Sequence, residues 1–189
     1  MADKEGQALD ILDVGSLNVT ESGTYRPIFS HENWTYRGLD LLAGPNVDIP
    51  VANPYNWKPV KSKSQDVVVS GQALEHIECF WVTMMEIERV LKPGGLCCII
   101  APSAGPEHRY PVDCWRFYTD GMKVLAKYVC LEVVEADTQW EPLGYTIDRG
   151  DRWRDSMLIA RKPCMTGGVA IKWAIKKRLL RRLAEPKFV

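Results

Sequence analysis

Residues 66–101 read DVVVSGQALEHIECFWVTMMEIERVLKPGGLCCIIA, and this stretch decides the fold class. It opens on Asp66–Ser70, a β-branched run without polar alternation, the pattern of a strand buried on both faces. Leu74, Ile77, Trp81, Met84 and Leu91 then recur at three- and four-residue steps, which marks an amphipathic helix. Lys92-Pro93-Gly94-Gly95 stops it, because proline cannot continue a helix and the glycines permit the turn. Leu96–Ala101 is a second buried strand. Strand, helix and strand joined by tight turns make a mostly parallel α/β sheet.

Working upstream, Ala8–Val14 reads as a first strand stopped by Gly15-Ser16, and Trp34–Leu42 as a second closed by Gly44-Pro45-Asn46. Val47–Ala52 is a short third. The segments flanking the second strand are helix-poor, so that flank of the sheet is expected to be thinly covered. Downstream, Ser103–Tyr118 has no periodicity, and Thr119–Tyr128 is a helix that Thr119 or Asp120 can cap. Leu131–Val134 and Met157–Ala160 are the last strand cores. Glu141–Asp155 between them is rich in Gly, Pro and charge, with no crossover helix, so these strands close as an antiparallel hairpin.

A chain of 189 residues has a one-domain length. We divide it into a catalytic-type domain, 1–164, and a basic tail, 165–189. The tail carries seven basic residues and one acid, which leaves 17 basic against 23 acidic residues on the body. An acidic body argues against a nucleic-acid groove there. In the tail, Val169, Trp173, Leu180 and Leu183 fall on one side of a helix, with Lys177, Arg178 and Arg181 opposite. Such a helix suits docking back on the body, a second copy of the chain, or an anionic membrane surface. The six cysteines show no zinc spacing, read as reduced structural thiols, and assign no metal. With a polar amino-terminal segment and no apolar run long enough to span a bilayer, the chain reads as cytoplasmic, with peripheral membrane contact through the tail as an option.

Ligands of open α/β sheets bind outside the carboxyl ends of the strands. Here the first such turn is Asp13-Val14-Gly15-Ser16-Leu17-Asn18, and the next strand ends in Gly38-Leu39-Asp40. A carboxylate at Asp40 can accept hydrogen bonds from both hydroxyls of a ribose. The NAD-dependent oxidoreductase alternative needs GxGxxG, but this turn keeps only the first glycine. Asp13 would also repel a pyrophosphate, whereas it suits an ammonium or a sulfonium.

From Ile11 to Val134 the sequence resembles the class I S-adenosylmethionine (SAM)-dependent methyltransferases, in particular the type 11-like group. The resemblance rests on Ile11–Asn18, Gly38–Asp40, Asp66–Ser70 with Glu75-His76-Ile77, and above all Glu86–Gly95. It implies a Rossmann-like seven-stranded sheet of order 3-2-1-4-5-7-6 with an antiparallel last strand, and SAM as cofactor. It further implies that Asp13, Gly15 and Ser16 bind the methionine part and Asp40 the ribose. Asn53 would meet the adenine, and Ser70, Gly71 and Gln72 would wall the reactive methyl. Leu17 stands where the group has a second glycine, and the helices that often cover the substrate do not precede the first strand.

Pro106–Tyr118 follows the fifth strand on the cofactor face and gathers proton-transfer groups, arginines and aromatic rings in one loop. His108 and Asp113 are the candidate bases, and Arg109, Tyr110, Trp115 and Arg116 the candidate acceptor contacts. The competing reading makes Asp113 with Arg109 or Arg116 a structural ion pair and the aromatics core. His76 is an alternative base, although the Glu75-His76 pair recurs in the group with unrelated acceptors. Trp140, Tyr145 and Trp153 could stack on a sugar or pack an edge. The HRYPxDxWRF stretch is similar to glycan-modifying methyltransferases, which implies a hydroxyl of a small molecule or glycan as acceptor. A non-catalytic methyltransferase-like partner subunit is the rival.

Overall fold

A computed structural model of the chain describes residues 6–19, 23–144 and 147–184. Its strands are β1 (Leu9–Val14), β2 (Trp34–Asp40), β3 (Ile49–Pro50), β4 (Gln65–Gly71), β5 (Leu91–Pro102), β6 (Glu132–Thr138) and β7 (Asp155–Arg161). They form one sheet of order β3-β2-β1-β4-β5-β7-β6. The pairs from β3 through β5 are parallel, and β7 runs antiparallel to both β5 and β6. Strand order and closing hairpin are those expected from the sequence.

The helices are α1 (Phe80–Val90), α2 (Thr119–Tyr128) and α3 (Gly167–Ala184). The periodic stretch expected as one helix from Leu74 is broken: Leu74–His76 is a single 3-10 turn, and Ile77 is extended before α1 begins. The break keeps Glu75 and His76 at the strand ends. α2 spans the expected residues, but no side chain caps it. The Thr119 N–H instead donates to Thr138 Oγ1 at 3.1 Å, and that hydroxyl lies 2.6 Å from Ser156 Oγ. The helix start is thereby tied to β6 and β7.

Each face of the sheet is covered differently. α1 and α2 pack on one face, together with an irregular segment that buries Val51, Tyr55, Trp57 and Val60. The signature Glu86–Gly95 explains how that segment is held without a helix. Glu86 is fully buried, accepts the Trp57 N–H at 2.9 Å, and pairs with Arg89 at 2.7 Å. Arg89 in turn donates to the carbonyls of Trp57 and Val60. Past α1, Lys92–Gly95 bulges out of β5, with Gly94 at φ 82° and Gly95 too close to the Asp66 and Gln65 carbonyls for a side chain. The other face carries a small cluster of Leu9, Ile11, Phe29, Tyr36, Val67 and Val69, covered by Tyr25 and Trp34. That is the thin cover the sequence implied.

α3 docks on the body. Trp173 is buried and its indole N–H points at Glu88 Oε1, while Lys177 Nζ stands 2.5 Å from Glu88 Oε2. Lys177 therefore belongs to the docking side, contrary to the sequence assignment, because it lies one turn from Trp173. Val169, assigned to the apolar docking side, is 65% exposed. The side chains of Arg181 and Leu183 lie outside the described residues. Among the described residues no helix is long and apolar enough to cross a membrane.

Candidate active site

β1 ends at Gly15, whose φ is 77° and whose Cβ, if it had one, would lie 2.4 Å from Ala73 Cβ. Only glycine meets both demands without strain. The Gly15 and Ser16 N–H groups donate to the Leu39 carbonyl, and the Leu17 N–H donates to Asp40 Oδ2 at 2.9 Å. The other Asp40 oxygen takes the Leu41 and Leu42 N–H groups at 2.7 and 3.4 Å. The turn after β1 and the acid ending β2 are thus one unit. Asp40 is partly committed to backbone and keeps limited lone-pair capacity for a hydroxyl. Leu17, in place of a second glycine, lies over Gly44, where a Cβ would stand 2.5 Å from its Cδ1. A glycine across the turn makes room for the missing one.

Asp13 is 3% exposed and accepts a hydrogen bond from the Tyr36 hydroxyl. Burial pushes its pKa up to about 6 in spite of that bond and of Asn46. Ser16 Oγ is buried with no hydrogen-bond partner. An acid short of positive charge beside an orphaned hydroxyl fits a ligand with an ammonium group. It does not fit a phosphate. Because the folded pKa lies above the unfolded one, ionised Asp13 costs stability at neutral pH, and that cost fades as pH falls through 6 towards 4. Asp13→Asn should therefore raise stability at pH 7, on the order of 2 kcal/mol, and flatten the gain on acidification. Denaturant midpoints at pH 7 and pH 5 check this; a variant less stable than wild type at pH 7 would refute it.

At the end of β4, Ser70 Oγ donates to the Val14 carbonyl at 2.8 Å and so clamps β4 to β1. Tyr25 lies across Gly71, where a Cβ would stand 1.9 Å from the phenol oxygen. Burial, and then Asp13, hold the Tyr25 phenol up at about 12, so it stays a donor. The sequence reading missed this residue. Its only sequence signal is an aromatic residue in the polar link after β1. Gln72 has φ 55° and hydrogen-bonds Asp155. Asn53 is exposed, and its Oδ1 accepts the Tyr55 N–H at 2.7 Å, closing a local turn.

The loop after β5 is organised by Asp113, whose side chain is 2% exposed. It takes both Arg116 amines at 2.5 and 2.8 Å and the His108 backbone N–H at 2.7 Å. Arg116 holds its carboxyl well below the ordinary range, so it is a permanent anion rather than a proton acceptor at neutral pH. Its Oδ2 lies 3.3 Å from His108 Nδ1. No hydrogen bond joins the two, so Asp113 holds the His108 backbone and sets a negative charge beside its ring. The ring packs against Trp153 and against His76, at centroid distances of 4.5 and 4.7 Å.

Arg116, also bound to the Pro106 carbonyl, is a structural clamp. Trp115 donates to the Glu78 carbonyl and packs on Phe80 and Trp81. Arg109, paired with Glu107 at 2.8 Å, and Tyr110 are exposed beside His108. His76 donates from Nδ1 to the Val112 carbonyl at 2.5 Å, and burial lowers its pKa. Trp140 is exposed and stacks on Tyr118. Tyr145 lies outside the described residues.

Residues 31–99, a little over a third of the chain, match the sequence profile of the family described as "Methyltransferase domain". No curated protein sequence matches the chain. Solved structures share its fold at low identity. The 1,6-didemethyltoxoflavin-N1-methyltransferase of Burkholderia thailandensis, with bound S-adenosylhomocysteine, is 15% identical with a TM-score of 0.62, covering 84% of this chain and 72% of that one. A chain from the complex of the Haloferax volcanii Trm112 methyltransferase activator is 17% identical at TM-score 0.61, with 85% of each chain covered. The [4+2]-cyclase SpnF is 14% identical at 0.59, over 83% of this chain and 76% of that one. Identities this low speak to fold, and the cyclase shows that the fold serves more than one chemistry.

Proposed function

We propose that this chain, which has the class I methyltransferase fold and a type 11-like methyltransferase signature, transfers the methyl group of SAM to a hydroxyl of a small-molecule or glycan acceptor. One observation carries the reading. The β1 turn, the acid ending β2 and the loop after β5 meet at one edge of the sheet: Gly15 touches Ala73, and His76, three residues on, touches His108. A cofactor held by the first two would present its methyl towards the third.

SAM bound here supplies an activated methyl group, and the chain's own residues supply placement and proton handling. Asp13 and Ser16 suit the amino-acid end, Asp40 a ribose hydroxyl, and Gly71 with Tyr25 the space around the reacting carbon. Methyl transfer is an in-line displacement, so most of the acceleration comes from holding nucleophile and methyl in line. His108, with the Asp113 anion beside its ring, is the group that takes up the acceptor's proton. Asp13 must be ionised to meet an ammonium, so SAM affinity falls as pH drops below about 6.

Labelled SAM offered with a panel of glycans and small hydroxy compounds tests the reading. Label should appear on an oxygen of one class. The rival is a methyltransferase-like partner subunit, favoured by the thin cover on the second sheet face, and it predicts cofactor binding with no transfer to any member of the panel.

A further inference from the structure

Beside the loop after β5, the break between Leu74–His76 and α1 sets Glu75 and His76, which the proposed transfer does not use, against His108. Glu75, His76 and His108 each place one ligand-type atom within 4.8 Å of the others. Glu75 is fully buried, and neither of its carboxylate oxygens has a hydrogen-bond partner. A buried carboxylate without donors is costly unless a cation or a proton sits against it. His76 has its Nδ1 taken by the Val112 carbonyl at 2.5 Å, which turns the Nε2 lone pair toward Glu75 Oε1 at 3.7 Å. Either the carboxyl's own proton or a metal cation can sit in that gap. His108 Nδ1 lies 3.3 Å from Asp113 Oδ2 but is buried without a hydrogen bond, so the His108 ring also has an unsatisfied nitrogen to offer.

We propose that Glu75, His76 and His108 form a binding site for a divalent first-row transition metal ion of the zinc type. A ring nitrogen held by a carbonyl or carboxylate, with the other nitrogen free, is how metal-binding histidines are oriented. Two imidazoles and one carboxylate, with a fourth position open, match the donor set of catalytic rather than structural zinc. Zinc bonds of about 2.0–2.2 Å require the ligand atoms to close in by roughly 1 Å, within reach of side-chain rotation. His76 and His108 side chains are 12% and 25% exposed while Glu75 is fully buried, so an ion can enter from the histidine side.

The inference rests on the acceptor side of the reading above only for its role. An ion there would bind the acceptor oxygen and lower its pKa, so that the O–H proton leaves to water before that oxygen takes the methyl. His108 would then act as a ligand.

The test uses the full chain, stripped with chelator and titrated with Zn²⁺ by calorimetry and with Co²⁺ by visible absorption, in the absence of SAM. One ion per chain should bind, with tetrahedral or five-coordinate Co²⁺ bands and no thiolate charge-transfer absorption. His76→Gln and His108→Gln should each weaken binding at least 10-fold, and Glu75→Gln, a near-isosteric change, should do the same with the fold retained. Absence of binding would overturn the proposal. So would Co²⁺ held through cysteine thiolates, or affinity unchanged in all three variants. S-adenosylhomocysteine titration of the stripped protein reads the cofactor site separately, so failure of the metal site and failure of the methyltransferase reading are told apart.

Discussion

Glu86→Ala should lower stability by about 3–5 kcal/mol, the cost of leaving one partner of a buried ion pair alone. Glu86 is fully buried, and its removal strands the Arg89 guanidinium and the Trp57 N–H together. Arg89 then loses its hold on the Trp57 and Val60 carbonyls, and the helix-free segment over α1 loses its anchor. For a chain of this length the melting temperature should fall by roughly 10 °C. Glu86→Gln keeps an acceptor for Trp57 and should cost less. Denaturant unfolding measures both, and a loss under 1 kcal/mol for the alanine variant would show that the segment is held by apolar packing alone.

His108→Gln should lower the rate of methyl transfer by about 10²–10⁴-fold while S-adenosylhomocysteine affinity stays unchanged. The ring packs among His76, Tyr110 and Trp153, so the loss should fall on transfer and spare cofactor binding. Asp113→Asn should reproduce part of the loss by removing the negative charge beside the ring, and should also lower stability because Arg116 loses its ion-pair partner. Full activity in His108→Gln would return the loop to a packing role.

The sheet was legible in the sequence because its signals are local: a strand buried on both faces, a helix period, a glycine turn. The run from Asp66 to Ala101 needs little beyond those. Pairings between distant residues were not legible. Glu86 and Arg89 lie in the stretch that most resembles the methyltransferases, but sequence alone does not show that their partners are the Trp57 N–H and the Val60 carbonyl, some 29 residues away. Lys177 was placed on the solvent side of its helix because it is charged, and it pairs with Glu88 because the helix docks.

At the candidate site, Asp13, Gly15 and Asp40 were recognisable from turn chemistry and strand spacing. His108 and Asp113 stood out as titratable groups in a long loop. What separates them in role is Arg116, which fixes Asp113 as an anion, and no spacing rule reveals that. Tyr25 and the convergence of Glu75 on two histidines depend on how two loops and one strand end meet, a property of the assembled sheet edge.

Calorimetric titration with S-adenosylhomocysteine measures most directly whether the β1–β2 unit holds the cofactor. The wild-type chain should bind one equivalent. Asp40→Ala should bind more weakly by about 1.5–3 kcal/mol, the range for a hydrogen bond to a charged group. No heat and no rise in melting temperature at millimolar ligand, where mass action must stabilise a chain that binds it, would contradict the assignment of this edge of the sheet as a SAM site.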